Sequence, residues 1–221
     1  MNFPLILKDE LNGFYKSWVM IFLWIGLPLL AIFIHISIPN QAGLGSLSIL
    51  TALILTSIAS LLSSTMLAAN IINEKDTHVY PLFLIRPIKR WQLIISKFLA
   101  VYICVSIALI ISIMLGITID YIETPNLFEF ILESVIDPFI MVFAIMLISS
   151  AFGTLIGVLS PSIVVGVVLV IFLGQYVSYI PTAISFLLNI GDPLVMVLVT
   201  SIITASVLLG IAILVFSKKQ F

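Results

Sequence analysis

The sequence IINEKDTHVYPLFLIRPIKRWQLIISK, residues 71–97, contains five of the nine Lys and Arg residues of the chain. The other four, Lys8, Lys16, Lys218 and Lys219, lie close to the two ends of the sequence. Long apolar runs without Lys or Arg separate these three basic regions. Because Lys and Arg beside membrane spans are retained in the cytoplasm, this distribution predicts that both termini and residues 71–97 face the cytoplasm.

The composition predicts a membrane protein. Of the 221 residues, 62% are hydrophobic and 9% are charged, and the mean hydropathy is +1.33. Soluble globular domains carry about 25% charged residues, so this chain is not built for water as its main solvent. A membrane helix needs about 20 apolar residues, and the length is therefore best counted in spans.

Six apolar runs are long enough to cross a bilayer, and we predict an all-α membrane protein with six transmembrane helices in a single domain, residues 1–221. The predicted spans are residues 17–38, 47–70, 98–119, 139–159, 163–179 and 193–216. Residues 138–191 carry no charge and are too long for one span, and Ser160-Pro161-Ser162 divides them. A single span there would also place Lys218 and Lys219 outside, which the retention of basic residues disfavours.

Three segments beside the spans are predicted to form shorter structures. Residues 3–16 have apolar residues at helical spacing and charges on other faces, as in an N-terminal helix lying in the membrane interface. Residues 120–137 are acidic and predict a short external helix that Pro138 stops. Residues 180–192 are apolar but too short to span, and they fit a re-entrant or interfacial segment on the outer side.

The second predicted span is rich in small residues, among them Ser60, Ser64 and Ala68. Small residues let membrane helices approach closely, so this helix is predicted to pack inside the bundle or at a contact between subunits. A polar substrate path along the helix is the alternative.

The sequence offers no pattern for catalysis or for a metal site. No predicted span carries Asp, Glu, Lys or Arg at its middle, where such groups usually mark ion or proton pathways. The motifs of zinc proteases, serine hydrolases and P-loop proteins are missing, and His35 and His78 are predicted on opposite sides of the membrane. We therefore predict a chain that is not an enzyme and has no cofactor of its own.

After the second span, the sequence predicts a charged segment, a short amphipathic helix over residues 77–85, a proline turn and a basic segment that leads into the third span. Asp76 or Thr77 can cap the short helix. Tyr80, Phe83 and Leu84 would then form an apolar patch at the cytoplasmic surface. An ordinary anchored loop without a partner is the alternative.

This loop resembles the corresponding loop in the membrane subunits of type-2 ABC exporters, the ABC-2 permease family. The matching features are Glu74-Lys75-Asp76-Thr77, then Arg86-Pro87-Ile88-Lys89-Arg90, then Leu93 and Lys97 at a spacing of four residues. The six spans, the interfacial N-terminal helix, the segment before the last span and the basic tail fit the same family. Pro81 departs from its pattern, because it lies inside the helix that docks on the ATPase in this family.

The resemblance implies a permease subunit of an ATP-driven exporter in a prokaryotic cytoplasmic (inner) membrane. It implies three partners, which are cytoplasmic ABC ATPase subunits that hold ATP and Mg, a second permease subunit in a homo- or heterodimer, and the lipid bilayer. No nucleic acid is expected. The residues implied in docking and coupling are Glu74, Thr77, His78, Tyr80, Phe83, Leu84, Arg86, Pro87 and Arg90.

Two other classes of protein remain open at this point. A six-span secondary transporter or channel would require buried ionisable or ion-coordinating groups, and a non-transporting immunity or scaffold protein could share the fold. The substrate is not readable from the sequence, since the family handles lipid-like molecules, drugs, peptides, haem and polysaccharide carriers. Export as the direction of transport likewise comes from the family and not from any residue.

Overall fold

A computed structural model describes residues 3–37, 47–77, 90–123, 128–188 and 192–218. Within these ranges the chain forms eight helices and no strand. The helices are α1 (Phe3–Tyr15), α2 (Trp18–Ser37), α3 (Leu47–Asp76), α4 (Arg90–Glu123), α5 (Phe128–Leu159), α6 (Ile163–Ser178), α7 (Ile180–Leu188) and α8 (Pro193–Lys218).

Six helical stretches in the described ranges are long and apolar enough to cross a membrane. They are α2, α3, α4, α5, α8 and the stretch Ile163–Ser185, which joins α6 to most of α7. The predicted all-α class and the number of membrane-length helices are thus confirmed, and the chain has the character of a multi-pass membrane protein.

The helices beside residues 78–89 are longer than predicted. α3 ends at Asp76 instead of residue 70, and α4 begins at Arg90 instead of residue 98. Hydropathy marks where an apolar run stops, whereas backbone hydrogen bonding continues through the charged residues beyond it. As a result, Glu74, Arg90 and Lys97 are helical residues and not loop residues.

The prediction that Pro138 stops a short external helix is wrong. α5 runs without interruption from Phe128 to Leu159 and contains Pro138 in its interior. A proline in a helix removes one backbone hydrogen bond, but membrane helices tolerate this because neighbouring groups satisfy the freed carbonyl. Immediately after the proline, the rings of Phe139 and Phe143 pack edge to face with their centroids 5.0 Å apart.

The core of the bundle is built around α3, which packs against α2, α4, α5 and α6. Its closest neighbour is α5, because Gly153 lies directly against the backbone of Ser64 and Gly157 lies against Ala68. Ser149 Oγ also donates a hydrogen bond to the carbonyl oxygen of Ser60 over 2.8 Å. The prediction that the span rich in small residues packs inside the bundle is confirmed.

Two short helices lie where the sequence predicted short segments. α1 buries Ile6 and Phe14 and packs against α4, with its remaining faces more exposed. α7 has Pro181 in its first turn, where a proline is tolerated, and packs against α8. The positions of both helices relative to a bilayer remain predictions.

Candidate functional site

Several basic side chains meet at one end of the helical bundle. Lys75 Nζ donates to the carbonyl oxygen of Ser160, in the turn between α5 and α6. Arg90 Nη1 donates to the carbonyl oxygen of Ser217 in the last turn of α8, over 3.1 Å. We call this end, which carries Lys75, Arg90 and Lys97, the basic end. The helices that flank residues 78–89 are therefore tied there to α8 and to the α5–α6 turn.

Lys97 is the centre of the basic end. It is fully buried, with 0% of its surface exposed, although it carries an ammonium group. Its Nζ lies 2.8 Å from Glu10 Oε1 and also pairs with Glu74 Oε1. The three residues form the ion cluster, which joins α1, the last turn of α3 and the first turns of α4.

The local sequence explains why these three side chains converge. In α1, Ile6 and Phe14 are buried, and this amphipathic packing lays the helix across the start of α4. The ring of Phe3 stacks on that of Trp91, with centroids 6.3 Å apart and an interplanar angle of 21°. Glu10 lies between the two buried positions of α1 and consequently reaches Lys97.

Because Lys97 is buried, the ion cluster holds the three helices together. A buried charge is tolerated only when it is paired, and removing one partner of a buried pair costs about 3–5 kcal/mol. Lys97 depends on carboxylates from two other helices. Separation of α1 or α3 from α4 would therefore leave the ammonium poorly compensated, so the ion cluster favours movement of the three helices together.

Three of the residues predicted for docking and coupling belong to the described part of the chain. Glu74 is in the ion cluster, and Arg90 contacts α8. Thr77 closes α3, since its backbone N–H and its Oγ1 donate to the carbonyl oxygen of Asn73 over 3.0 Å and 2.8 Å. The others lie outside the described residues: His78, Tyr80, Phe83, Leu84, Arg86 and Pro87, together with Pro81.

No pattern in the sequence singles out Glu10 and Lys97 as a pair. Glu74 and Arg86 were both expected among the docking and coupling residues, and Arg86 lies outside the described residues. The partner that the structure shows for Glu74 is Lys97. A signal was present, because Lys97 is flanked by the apolar residues of the third span and a lysine buried there needs a carboxylate. The signal does not choose between Asp9, Glu10, Glu74 and Asp76.

A cavity of about 640 Å³ lies beside the ion cluster, between α1, α2, α3 and the start of α6. Its wall on α3 is one helical stripe that includes Met66, Asn70 and Glu74. Glu10 and Gly13 of α1 form the facing wall. The lining of the cavity therefore combines carboxylate and amide groups with apolar side chains.

The remaining chemistry of the described residues is sparse. Among them, no group of three or more His, Cys, Asp and Glu side chains could hold a metal ion. The single cysteine, Cys104, is buried in α4 with 3% of its surface exposed. The carboxylates and the lysine of the ion cluster can form ion pairs and hydrogen bonds, and they neighbour a cavity of ligand size.

Comparison with models of protein families finds no family that matches this chain, and comparison with curated proteins finds no similar sequence.

Proposed function

We propose that the chain is the membrane permease subunit of an ATP-driven exporter of the ABC-2 type. The observation that supports this best is the ion cluster, because it clamps both helices that flank residues 78–89 to a third helix. A protein that receives force on a short loop needs the helices beside that loop to move as one body. The loop resemblance supplies the source of that force.

In this proposal the basic end faces the cytoplasm, as the distribution of Lys and Arg predicts. A separate ABC ATPase docks on residues 77–85, with Tyr80, Phe83 and Leu84 as the apolar contact. Closure of the ATPase on ATP displaces this segment. α3 and α4 transmit the displacement into the bundle, because both are long and α3 is held closely by α5.

The chemistry of ATP hydrolysis then belongs to the partner, which holds ATP and Mg. The permease chain contributes a path and a mechanical link, and it pairs with a second permease subunit. The membrane is a prokaryotic cytoplasmic membrane. The burial of hydroxyl groups such as Ser60, Ser63 and Ser150 between α3 and α5 is accounted for by packing, so these groups do not require a polar pore.

The test is isolation of the full chain from its native membrane in mild detergent, with identification of the proteins that remain bound. We expect an ABC ATPase in the complex. In vesicles that contain the complex, Phe83→Ala with Leu84→Ala should leave ATP hydrolysis but lower transport per ATP several-fold. The control is Leu187→Ala, since Leu187 is 84% exposed and lies in α7, outside residues 77–85.

Two results would overturn the proposal. One is cargo movement by the purified chain with no nucleotide-hydrolysing partner, which would favour a secondary transporter or channel. The other is unchanged coupling in the Phe83 and Leu84 variant. An isolated complex that contains neither an ATPase nor a transport activity would point to a scaffold or immunity protein.

A further inference from the structure

The cavity is lined by acidic residues, although it lies at the basic end. Glu10 and Glu74 are the two charged residues that line it within the described part of the chain. Their side chains are 18% and 19% exposed, whereas that of Lys97 is 1% exposed and lies behind them. We propose that this cavity binds the ammonium group of an amphiphile, with Glu10 and Glu74 facing the cation.

The sign of the charge follows from the order of the side chains. The two carboxylates lie closer to the cavity than the lysine does. They therefore attract a cation in the cavity and repel an anion. The interaction is effective at this site because the effective dielectric constant near a protein surface is about 20, well below that of water. The side-chain amides of Asn70 and Asn73 also line the cavity and can accept hydrogen bonds from an ammonium N–H.

The apolar part of the ligand follows from the rest of the lining. Phe14, Val19 and Met66 line the same cavity as the two carboxylates. A volume of about 640 Å³ lies within the range of about 300–1,000 Å³ that small-molecule sites occupy. A hydrocarbon chain therefore has apolar surface to cover while its headgroup remains at the ion cluster.

The cavity is open at its α1 and α2 side. Val19 is 56% exposed, and a Cβ added at Gly13 would meet nothing within 4 Å. In a membrane protein, an opening lined by both charged residues and exposed apolar residues admits a molecule with one polar end and one apolar end. Two sources share this chemistry, namely an aminophospholipid of the bilayer and a free cationic amphiphile.

A cationic amphiphile at the basic end would be a cargo or a bound lipid of the proposed exporter. That the cavity faces the cytoplasm rests on the proposed function. Binding to the isolated chain needs no ATPase. A failure of binding therefore leaves the ATPase partnership intact, and a failure to find an ATPase leaves binding intact.

The experiment measures binding to the purified full chain in a non-ionic maltoside detergent by native mass spectrometry. The probes are dodecylammonium, dodecanol and a lysophosphatidylethanolamine with the same twelve-carbon tail. We expect dodecylammonium to bind about tenfold or more tightly than dodecanol, which corresponds to about 1.4 kcal/mol. Comparable binding of the lysophospholipid would identify a membrane phospholipid as the ligand, and weak binding would identify a free cationic amphiphile.

Two variants locate the binding. Gly13→Phe places a ring in the wall of the cavity while keeping all three charged residues of the ion cluster, and it should weaken dodecylammonium binding about tenfold. Gly210→Phe is the matched control, because Gly210 is also an exposed helical glycine with nothing within 4 Å of an added Cβ, and it lies in α8. Glu10→Gln should weaken dodecylammonium binding and leave dodecanol binding unchanged.

Equal binding of dodecanol and dodecylammonium would overturn the proposal, and so would undiminished binding to the Gly13→Phe variant. Partition of the probes into micelles is the same for every variant, so a difference between Gly13→Phe and Gly210→Phe reports on the cavity. If Glu10→Gln fails to fold, the Gly13 and Gly210 pair still decides the outcome.

Discussion

Lys97 shows how one residue can hold three helices. Its ammonium group is buried, and its two carboxylate partners come from α1 and α3. Truncating the lysine would leave Glu10 and Glu74 close together without their shared cation. We therefore predict that Lys97→Met lowers the free energy of unfolding by about 3–5 kcal/mol. The measurement is thermal unfolding of the purified protein in detergent, read as the Tm.

Two further variants separate charge from packing at this position. Lys97→Met combined with Glu10→Gln and Glu74→Gln removes every formal charge of the ion cluster and should recover much of the lost Tm. Lys218→Met is the matched control, because Lys218 is exposed at the end of α8, and it should leave the Tm nearly unchanged. A Lys97→Met protein with the same Tm as the native protein would show that the ion cluster does not hold the three helices together.

The ion cluster also shows how far the contacts of a single residue can be predicted from the sequence. Glu74 was expected among the docking and coupling residues, and the structure shows it in a salt bridge. Its partner Lys97 is 23 residues away, and Glu10 is 87 residues from Lys97. Which carboxylate reaches the lysine depends on how α1 packs across α4, and no local pattern encodes that packing.

At the scale of elements, the pairing of α3 with α5 depends on Gly153. A Cβ at this position would lie 2.4 Å from the carbonyl oxygen of Ser64 and 2.6 Å from its Cα. Both atoms belong to backbone, so they cannot turn aside as a side chain could. We predict that Gly153→Val forces the two helices apart and lowers the Tm by many degrees, with loss of folded protein in detergent extracts.

Gly210→Val provides the comparison for this prediction. It introduces the same side chain into a helical glycine that has open space, so its cost is limited to helix propensity, a few tenths of a kcal/mol in either direction. The Tm of the two variants, measured side by side, reports the effect of close approach alone. Equal melting of both variants would show that α3 and α5 can separate at Gly153 without cost.

The elements themselves were largely predictable, and the exceptions have a physical cause. Long apolar runs identified six membrane-length helices, and small residues identified α3 as an inner helix. Pro138 was misread, because its effect depends on neighbouring helices and not on the proline itself. The charged ends of α3 and α4 were assigned to a loop because hydropathy does not report backbone hydrogen bonding.

At the scale of the whole molecule, the described basic residues of α3, α4 and α8 lie at one end of the bundle. α6 and α8 present large apolar side chains outward, such as Phe172 with 69% and Leu214 with 62% of their surface exposed. Such surfaces are suited to lipid or to a second subunit. The arrangement predicts that one end of the bundle faces the cytoplasm and that Asp192, at the start of α8, faces outward.

This topology can be measured with a thiol reagent that does not cross membranes. Cys104 is 3% exposed in α4 and should remain unlabelled, so cysteines introduced by Ser217→Cys and Asp192→Cys report their own positions. Both sites are exposed at opposite ends of α8. In intact cells we expect labelling of Asp192→Cys alone, and in inverted membrane vesicles labelling of Ser217→Cys alone. The reverse pattern would place residues 77–90 outside the cell, where no cytoplasmic ATPase could reach them, and labelling of both sites from one side would show that α8 does not cross the membrane.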